Sequence, residues 1–528
     1  MSQLLFELPL RSAERSPDAP ALTHKGATFD YRSLASSIEQ FAAGLMELGL
    51  HKLDRVAIFL PKQMENVVAM FGCARAGCTF VPVNPLLKPM QVAHILRDCN
   101  VRALVTSPER ATGLEAELRE CPDLRHLVLV GTKSDTAFAA PLAVHSWTQL
   151  TSATNTSRHR VIDADMVSIF YTSGSTGKPK GVVLSHKNMV TGAHSVAQYL
   201  GNTPADKLLA VLPFSFDYGF SQLSTSFHAG ASVVMMDYLF PRDILTLLAK
   251  ERITGLAGVP PLWSQLADLE WPATITDHLR YITNSGGAMP GATLSRLRAA
   301  LPNTRVFLMY GLTEAFRSTF LPPEEIDNRP GSMGKAIPNA EIVVVRPDGT
   351  PCAPNEPGEL VHRGSLVSLG YWNDPEKTAE RFKPAPGQPQ GLVMPEMAVW
   401  SGDTVRMDED GFLYFIGRRD EMIKTSGYRV SPSEVEEVIF SSGLVADAAA
   451  VGVPHPTLGQ AIAIVAAPAP GKEPDTAAVL DACKKNLPAF MVPHHIDWRE
   501  SLPRNPNGKY DRALLARELK NLFVEERP

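Results

Sequence analysis

The sequence predicts an α/β protein: a large N-terminal domain of two stacked doubly wound lobes plus a small β-barrel-like unit, followed by a small α+β C-terminal domain. Three observations lead there. Apolar strand-like runs alternate with helical patterns in two separate blocks, the pattern of parallel sheets covered on both faces. Past about Asn339 the texture changes to short strands separated by turn dipeptides. The chain has 528 residues, too many for one ordinary core. The expected boundary puts 1–419 in the N-terminal domain and 420–528 in the C-terminal one.

The first block runs from Arg55 to Ser107. RVAIFL reads as a strand, Met64–Arg75 as a helix, TFVPV as a strand, the stretch around Met90–Asp98 as a helix, and RALVTS as a strand. The second begins near Lys207, with LLAVLP, SVVMMD, GLAGV, YITNSGG and RVFLMY as strands and helical segments between most of them. EIVVVRPDGTP, GELVHRG and GFLYFIGRRD then read as antiparallel strands around DG and PG turns. KPAPGQPQG (383–391) reads as an exposed loop. Past Arg419 a mixed segment opens on a helix capped by Ser433, whose early glutamates suit the positive helix start.

Composition narrows the function classes. With 44% hydrophobic and 20% charged residues the chain is globular, and a net charge of −5 with scattered Lys and Arg makes no case for nucleic acid. No apolar run is long enough to span a bilayer, so stable membrane insertion is not expected. The N-terminus lacks a basic stretch ahead of a long apolar core, so no signal peptide is expected. Six cysteines without a CxxC pair argue against zinc and a disulfide framework, and for a reducing cytoplasm.

The stretch YTSGSTGKPKG (171–181) has the small residues and hydroxyls of a phosphate cradle. It is not a Walker loop. Lys178 is followed by Pro179 where a magnesium-binding hydroxyl is needed, and Thr172 stands where the first glycine belongs. GVVL (181–184) then has strand character and a helix starts only after Ser185, so the loop joins two strands. Thr172, Ser173, Gly174, Ser175, Thr176, Gly177, Lys178 and Lys180 are the candidate phosphate-binding residues.

This loop closely resembles the signature of the adenylate-forming superfamily, which includes acyl-CoA synthetases, adenylation domains and luciferases. SGGAMP (285–290), YGLTEA (310–315), WSGDTV (400–405), GRRDEMIKTSGYRVSPSEVE (417–436) and PNGKYDR (506–512) follow in the family's order over nearly the whole chain. The resemblance implies an AMP-forming acid–thiol ligase using ATP, Mg2+ and coenzyme A. A carboxylate attacks the α-phosphate of ATP, and both reactants are anionic. A cation about 4 Å away at an effective dielectric near 20 contributes roughly 4 kcal/mol, about a thousandfold in rate. By resemblance Lys509 is that cation. Tyr310 would stack on adenine, Thr313 donate to the α-phosphate, and Glu314 hold magnesium, a metal satisfied by one carboxylate plus phosphate oxygens. Gly286, Gly287 and Ala288 would lie along the nucleotide, and Asp403 and Arg418 hold the ribose. The family's C-terminal domain swings between half-reactions about a hinge that falls on Asp420. Lys424 and Gly427, in the loop KTSGY, would then reach the acyl-adenylate and the thiol channel.

The acyl pocket is the least specific part of the resemblance. Its candidate walls are LPFSFDYGF (212–220), GVPPLW (258–263), Gly311 and AFRSTF (315–320), with Phe216, Asp217, Trp263 and Arg317 singled out. Phe216 and Trp263 would narrow the cavity toward a small or medium acid. Asp217 would either meet a substrate amine or cap a helix, and Arg317 would meet a second carboxylate. Coenzyme A is the expected thiol, because the sequence ends at Pro528, close behind Lys509, without a fused carrier domain. The alternative is a stand-alone enzyme loading a separate carrier protein.

Overall fold

The computed structural model describes residues 2–131, 142–155, 157–172, 179–389, 391, 393–418, 422–469, 471–503 and 510–523. Two large sheets and a smaller C-terminal one carry the described strands. The first has seven strands, in the spatial order Ala143–Ser146, His126–Leu129, Val101–Thr106, Arg55–Phe59, Thr79–Pro82, Met166–Thr172 and Lys180–Ser185. All neighbours are parallel except the last pair, which is antiparallel and faces Thr172 with Lys180 across the candidate phosphate loop. The loop does join two strands. Ser185 then caps the helix His186–Leu200, its hydroxyl accepting from the backbone N–H of Asn188.

The second sheet centres on the parallel strands Ser232–Met235, Lys207–Ala210, Gly255–Gly258, Tyr281–Asn284 and Arg305–Tyr310. Pro20–His24 joins its edge beside Ser232–Met235, which nothing local in the N-terminal sequence foretells. At Arg305–Tyr310 the pairing turns antiparallel. Thr319–Leu321, Ser332–Ala336, Leu413–Arg418, Met397–Met407, Gly358–Gly364 and Ala340–Val345 continue the same hydrogen-bonded path, so the expected small β unit is an extension of the second lobe's sheet.

Helices fill the layer between the two sheets. Met64–Ala76 is buried almost all round, and Phe71, Phe80, Phe170 and Phe227 gather within 6 Å centroid distances around Phe220 or one another. This shared core locks the lobes together, so that loops leaving the carboxyl ends of strands from both sheets converge on one cleft, the usual ligand position in doubly wound folds.

The C-terminal sheet has five strands, led by the hairpin Ile423–Thr425 and Tyr428–Val430. Its two turn residues, Ser426 and Gly427, have φ of 51° and 81°, the two left-handed positions of the tight turn that suits strand twist. The following helix is Pro432–Ser441 and its cap is Ser431, so Ser433 lies inside the helix and not at its cap. Proline explains the shift, because its fixed φ and missing N–H favour the first helical position. Among the described residues no helix is long and apolar enough to cross a membrane.

Candidate active site

Two adjoining cavities open at the carboxyl ends of the central strands. Thr172, Phe216, Asp217, Thr313 and Arg317 line the first; Gly287, Ala288 and Tyr310 line the second; Gly286, Gly311, Lys424 and Gly427 belong to both. The strand Arg305–Tyr310 delivers Tyr310 and Gly311 to the junction, and a short 3-10 turn, Thr313–Ala315, carries the acid and its neighbour behind it.

Glu314 is fully buried, yet it is charged. Burial pushes its carboxyl up, but Lys180, Arg381, Arg429 and the Tyr371 hydroxyl together hold it down to about 2. The Tyr371 hydroxyl donates to Glu314 Oε1 at 2.6 Å, Lys180 Nζ donates to Tyr371 Oη at 2.7 Å, and Lys180 Nζ stands 3.6 Å from Glu314 Oε1. Backbone pairing explains why these groups meet. Residues 369–372 run against the strand Lys180–Ser185, Val183 N–H bonding Gly370 O and Trp372 N–H bonding Gly181 O, which sets Tyr371 beside Lys180.

Tyr371, Arg381 and Arg429 are absent from the residues singled out in the sequence. A glycine packed near each of Tyr371 and Arg381 is the available trace. Gly370 has φ of 108°, and a Cβ at Gly402 would lie 2.7 Å from Arg381 Nη1. Arg429 follows Gly427 and Tyr428 directly and belongs to the C-terminal sheet, so the second domain contributes a charge to the Glu314 cluster.

In the second cavity Tyr310 Oη donates to Asp403 Oδ2 at 2.5 Å, which ties the ring to the strand Met397–Met407. Asn284 Nδ2 donates to Gly287 O at 2.9 Å and steadies the glycine segment, in which Gly286 has φ of 81°. Asp403 pairs in register with Arg418, whose backbone alone is described.

The tip of the C-terminal hairpin closes the cleft. A Cβ on Gly427 would lie 2.9 Å from a methyl of Val259, so only glycine allows this approach. Tyr428 meets Phe216 edge to face, with ring centroids 4.9 Å apart. Gln91 Nε2 donates to Glu434 Oε1 at 2.8 Å across the two domains.

Two expectations about the acyl wall are corrected. Trp263 is fully buried in the core, packed so closely on Gly258 that a Cβ there would lie 2.7 Å from its ring, and it lines neither cavity. On the helix Pro260–Ala267 that position faces the sheet and not the cleft. Asp217 does not cap the helix Asp217–Ala229, whose cap position is Phe216; it lines the first cavity already paired with Arg317. Arg317 Nη1 donates to its Oδ2 at 3.1 Å, and the carboxylate that Arg317 meets is this one. Ser173, Gly174, Ser175, Thr176, Gly177, Lys178, Asp420 and Lys509 lie outside the described residues.

Among the described residues no group of three or more His, Cys, Asp or Glu side chains could hold a metal ion. A lone ionised glutamate does fit the way magnesium binds beside phosphates.

The sequence matches two family models: AMP-binding enzyme over residues 10–372 and AMP-binding enzyme C-terminal domain over 434–509. A long-chain-fatty-acid–CoA ligase of Salmonella typhimurium is 31% identical, covering 98% of this chain and 94% of its own. Among solved structures, a double mutant of Bacillus subtilis o-succinylbenzoate CoA synthetase bound with the product analogue OSB-NCoA superposes with a TM-score of 0.83 at 26% identity, covering 96% of this chain and 98% of its own. The same enzyme with the acyl-adenylate OSB-AMP gives 0.68 at 26% identity, covering 96% and 97%.

Proposed function

The chain belongs to the AMP-binding enzyme family, and on that premise we propose that it is an AMP-forming acid–CoA ligase acting in the cytoplasm. One observation carries the reading: the two cavities meet at Gly286 and Gly311, immediately beside Thr313 and the buried charge of Glu314. A nucleotide in the second cavity and an acid in the first would therefore touch at one point. A carboxylate oxygen of the acid attacks the α-phosphorus, and the bond to pyrophosphate breaks. The thiol sulfur then attacks the acyl carbon, its proton is lost, and AMP departs.

Tyr310 packs against the base and Asp403 receives the ribose hydroxyls. Gly286, Gly287 and Ala288 admit the nucleotide to the backbone, and Thr313 donates to the α-phosphate. Glu314 would hold magnesium, which when bound would supply charge neutralisation on the phosphates. Lys509 supplies the cation for the first step, and the segment from Thr172 to Lys180 cradles the outer phosphates. Lys424 and Gly427 serve the second step.

The close seat of Gly427 on Val259 supports reading this arrangement as the thiol-accepting one, and so does the better superposition on the product-analogue complex than on the acyl-adenylate complex of one enzyme. A cytoplasmic location draws support from six free cysteines, five of them buried.

The test is ATP–pyrophosphate exchange over a panel of acids, followed by AMP release with and without coenzyme A. Exchange without coenzyme A, and AMP release only with it, is the expected result. AMP release that needs a phosphopantetheinyl carrier protein instead would transfer the second step to a protein partner. No exchange with any acid would end the proposal.

A further inference from the structure

The acyl end of the first cavity is built around a buried cation with an unpartnered donor nitrogen. Arg317 is 3% exposed at its side chain. Its Nη1 donates to Asp217 Oδ2 at 3.1 Å and to Phe316 O at 2.9 Å, and its guanidinium lies 4.6 Å from the Tyr218 ring centroid. Its Nη2 is buried and has no hydrogen-bond partner among the described residues; Ser215 Oγ, lining the same cavity, is in the same condition.

A strained backbone puts the guanidinium there. Phe316 has φ of 54° and ψ of −51°, and Arg317 N–H bonds Ala315 O at 2.6 Å, the rare γ-turn with positive φ at its centre. The Phe316 ring is wedged against Gly192, where a Cβ would lie 2.3 Å away. The turn brings Arg317 back beneath Gly311, so that a Cβ on Gly311 would lie 3.7 Å from Arg317 Nη1. The guanidinium that carries the unpartnered donor thus sits beside the glycine shared by the two cavities.

A hydrocarbon acid in this cavity would leave Arg317 Nη2 and Ser215 Oγ dry and unpaired, which is costly. A second carboxylate would approach Asp217 as well as Arg317. An ammonium group would have to take Asp217 from Arg317. A neutral oxygen acceptor bonds Nη2 and leaves the ion pair intact. Resting on the ligase reading above, we infer that the acid carries a neutral acceptor oxygen, a hydroxyl, oxo or ether group, close to its reacting carboxyl, and that Arg317 selects it.

Matched acids test this by ATP–pyrophosphate exchange: butanoate, hexanoate and benzoate against their hydroxy, oxo and methoxy derivatives, with succinate and 3-aminobutanoate alongside. An oxygenated member should exceed its hydrocarbon parent at least tenfold in kcat/KM. That ratio should fall toward one in Asp217→Asn/Arg317→Met, a pair that leaves no lone buried charge, with the fold checked by a thermal shift on adding ATP. A hydrocarbon, dicarboxylic or amino acid leading the series overturns the inference and leaves the ligase reading standing. So does a ratio that survives the double variant. Absence of exchange with every acid removes both.

Discussion

Glu314 keeps a negative charge where burial alone would neutralise it, and the Tyr371 hydroxyl joins that charge to Lys180. Hydrogen bonds to charged groups contribute about 1.5–3 kcal/mol. Tyr371→Phe should therefore slow ATP–pyrophosphate exchange roughly 10- to 100-fold, with a raised magnesium requirement as the mark of a displaced Glu314. The same cluster has a pH signature. Glu314 is held near 2 against an ordinary 4.5, so its contribution to stability is complete above about 4.5 and fades as pH falls toward 2. Urea unfolding compared between the wild type and Glu314→Gln should show the wild type losing its advantage across that acid window. Tyr310, Gly311, Thr313 and Glu314 were legible because four neighbours in sequence share one strand end. Tyr371 was not, because only the strand pairing of residues 369–372 brings it to Lys180. Trp263 shows the opposite failure: a helical aromatic near a cleft can face either way, and here Gly258 receives it.

At the level of elements, Gly427 lets the hairpin Ile423–Val430 seat against Val259 at the cleft. Replacing that glycine adds a Cβ at a φ of 81° and drives it to 2.9 Å from Val259. Gly427→Leu should cut the coenzyme A step more than a hundredfold and leave exchange nearly unchanged; equal loss in both assays would contradict the role. The helix Pro432–Ser441 adds a pH term. Burial raises Glu434 from 4.5 to about 7, outweighing the bond from Gln91. A carboxyl raised by burial favours the docked arrangement when protonated, so its support for docking is complete below about 4.5 and fades as pH rises from there to about 7. Glu434→Gln should flatten the pH profile of the thioester-forming step between about 4.5 and 7. Helix and strand identities in both blocks were legible from their alternation, since periodicity is local. The start of this helix was misjudged by two residues, because Pro432 fixes the first turn ahead of the serine that looked like a cap.

For the whole molecule, sequence alternation announced two lobes, but not that the antiparallel strands prolong the second lobe's sheet or that Pro20–His24 crosses to its edge. Those pairings join distant segments and leave no local trace. The C-terminal domain poses the larger question, because its hairpin lines the cleft that Lys509 would enter for the first step in the proposed mechanism. On the proposed mechanism the two visitors would use one opening in turn, with the domain turning about the segment containing Asp420 between steps. Lys509→Ala should then cripple exchange while leaving thioester formation from supplied acyl-adenylate largely intact. Asp420→Pro, which would restrict the backbone at the proposed turning point, should do the reverse and spare exchange. The pair is decisive together: if both substitutions depress both half-reactions alike, the lysine and the hairpin do not alternate in the cleft, and one fixed arrangement must serve the entire reaction.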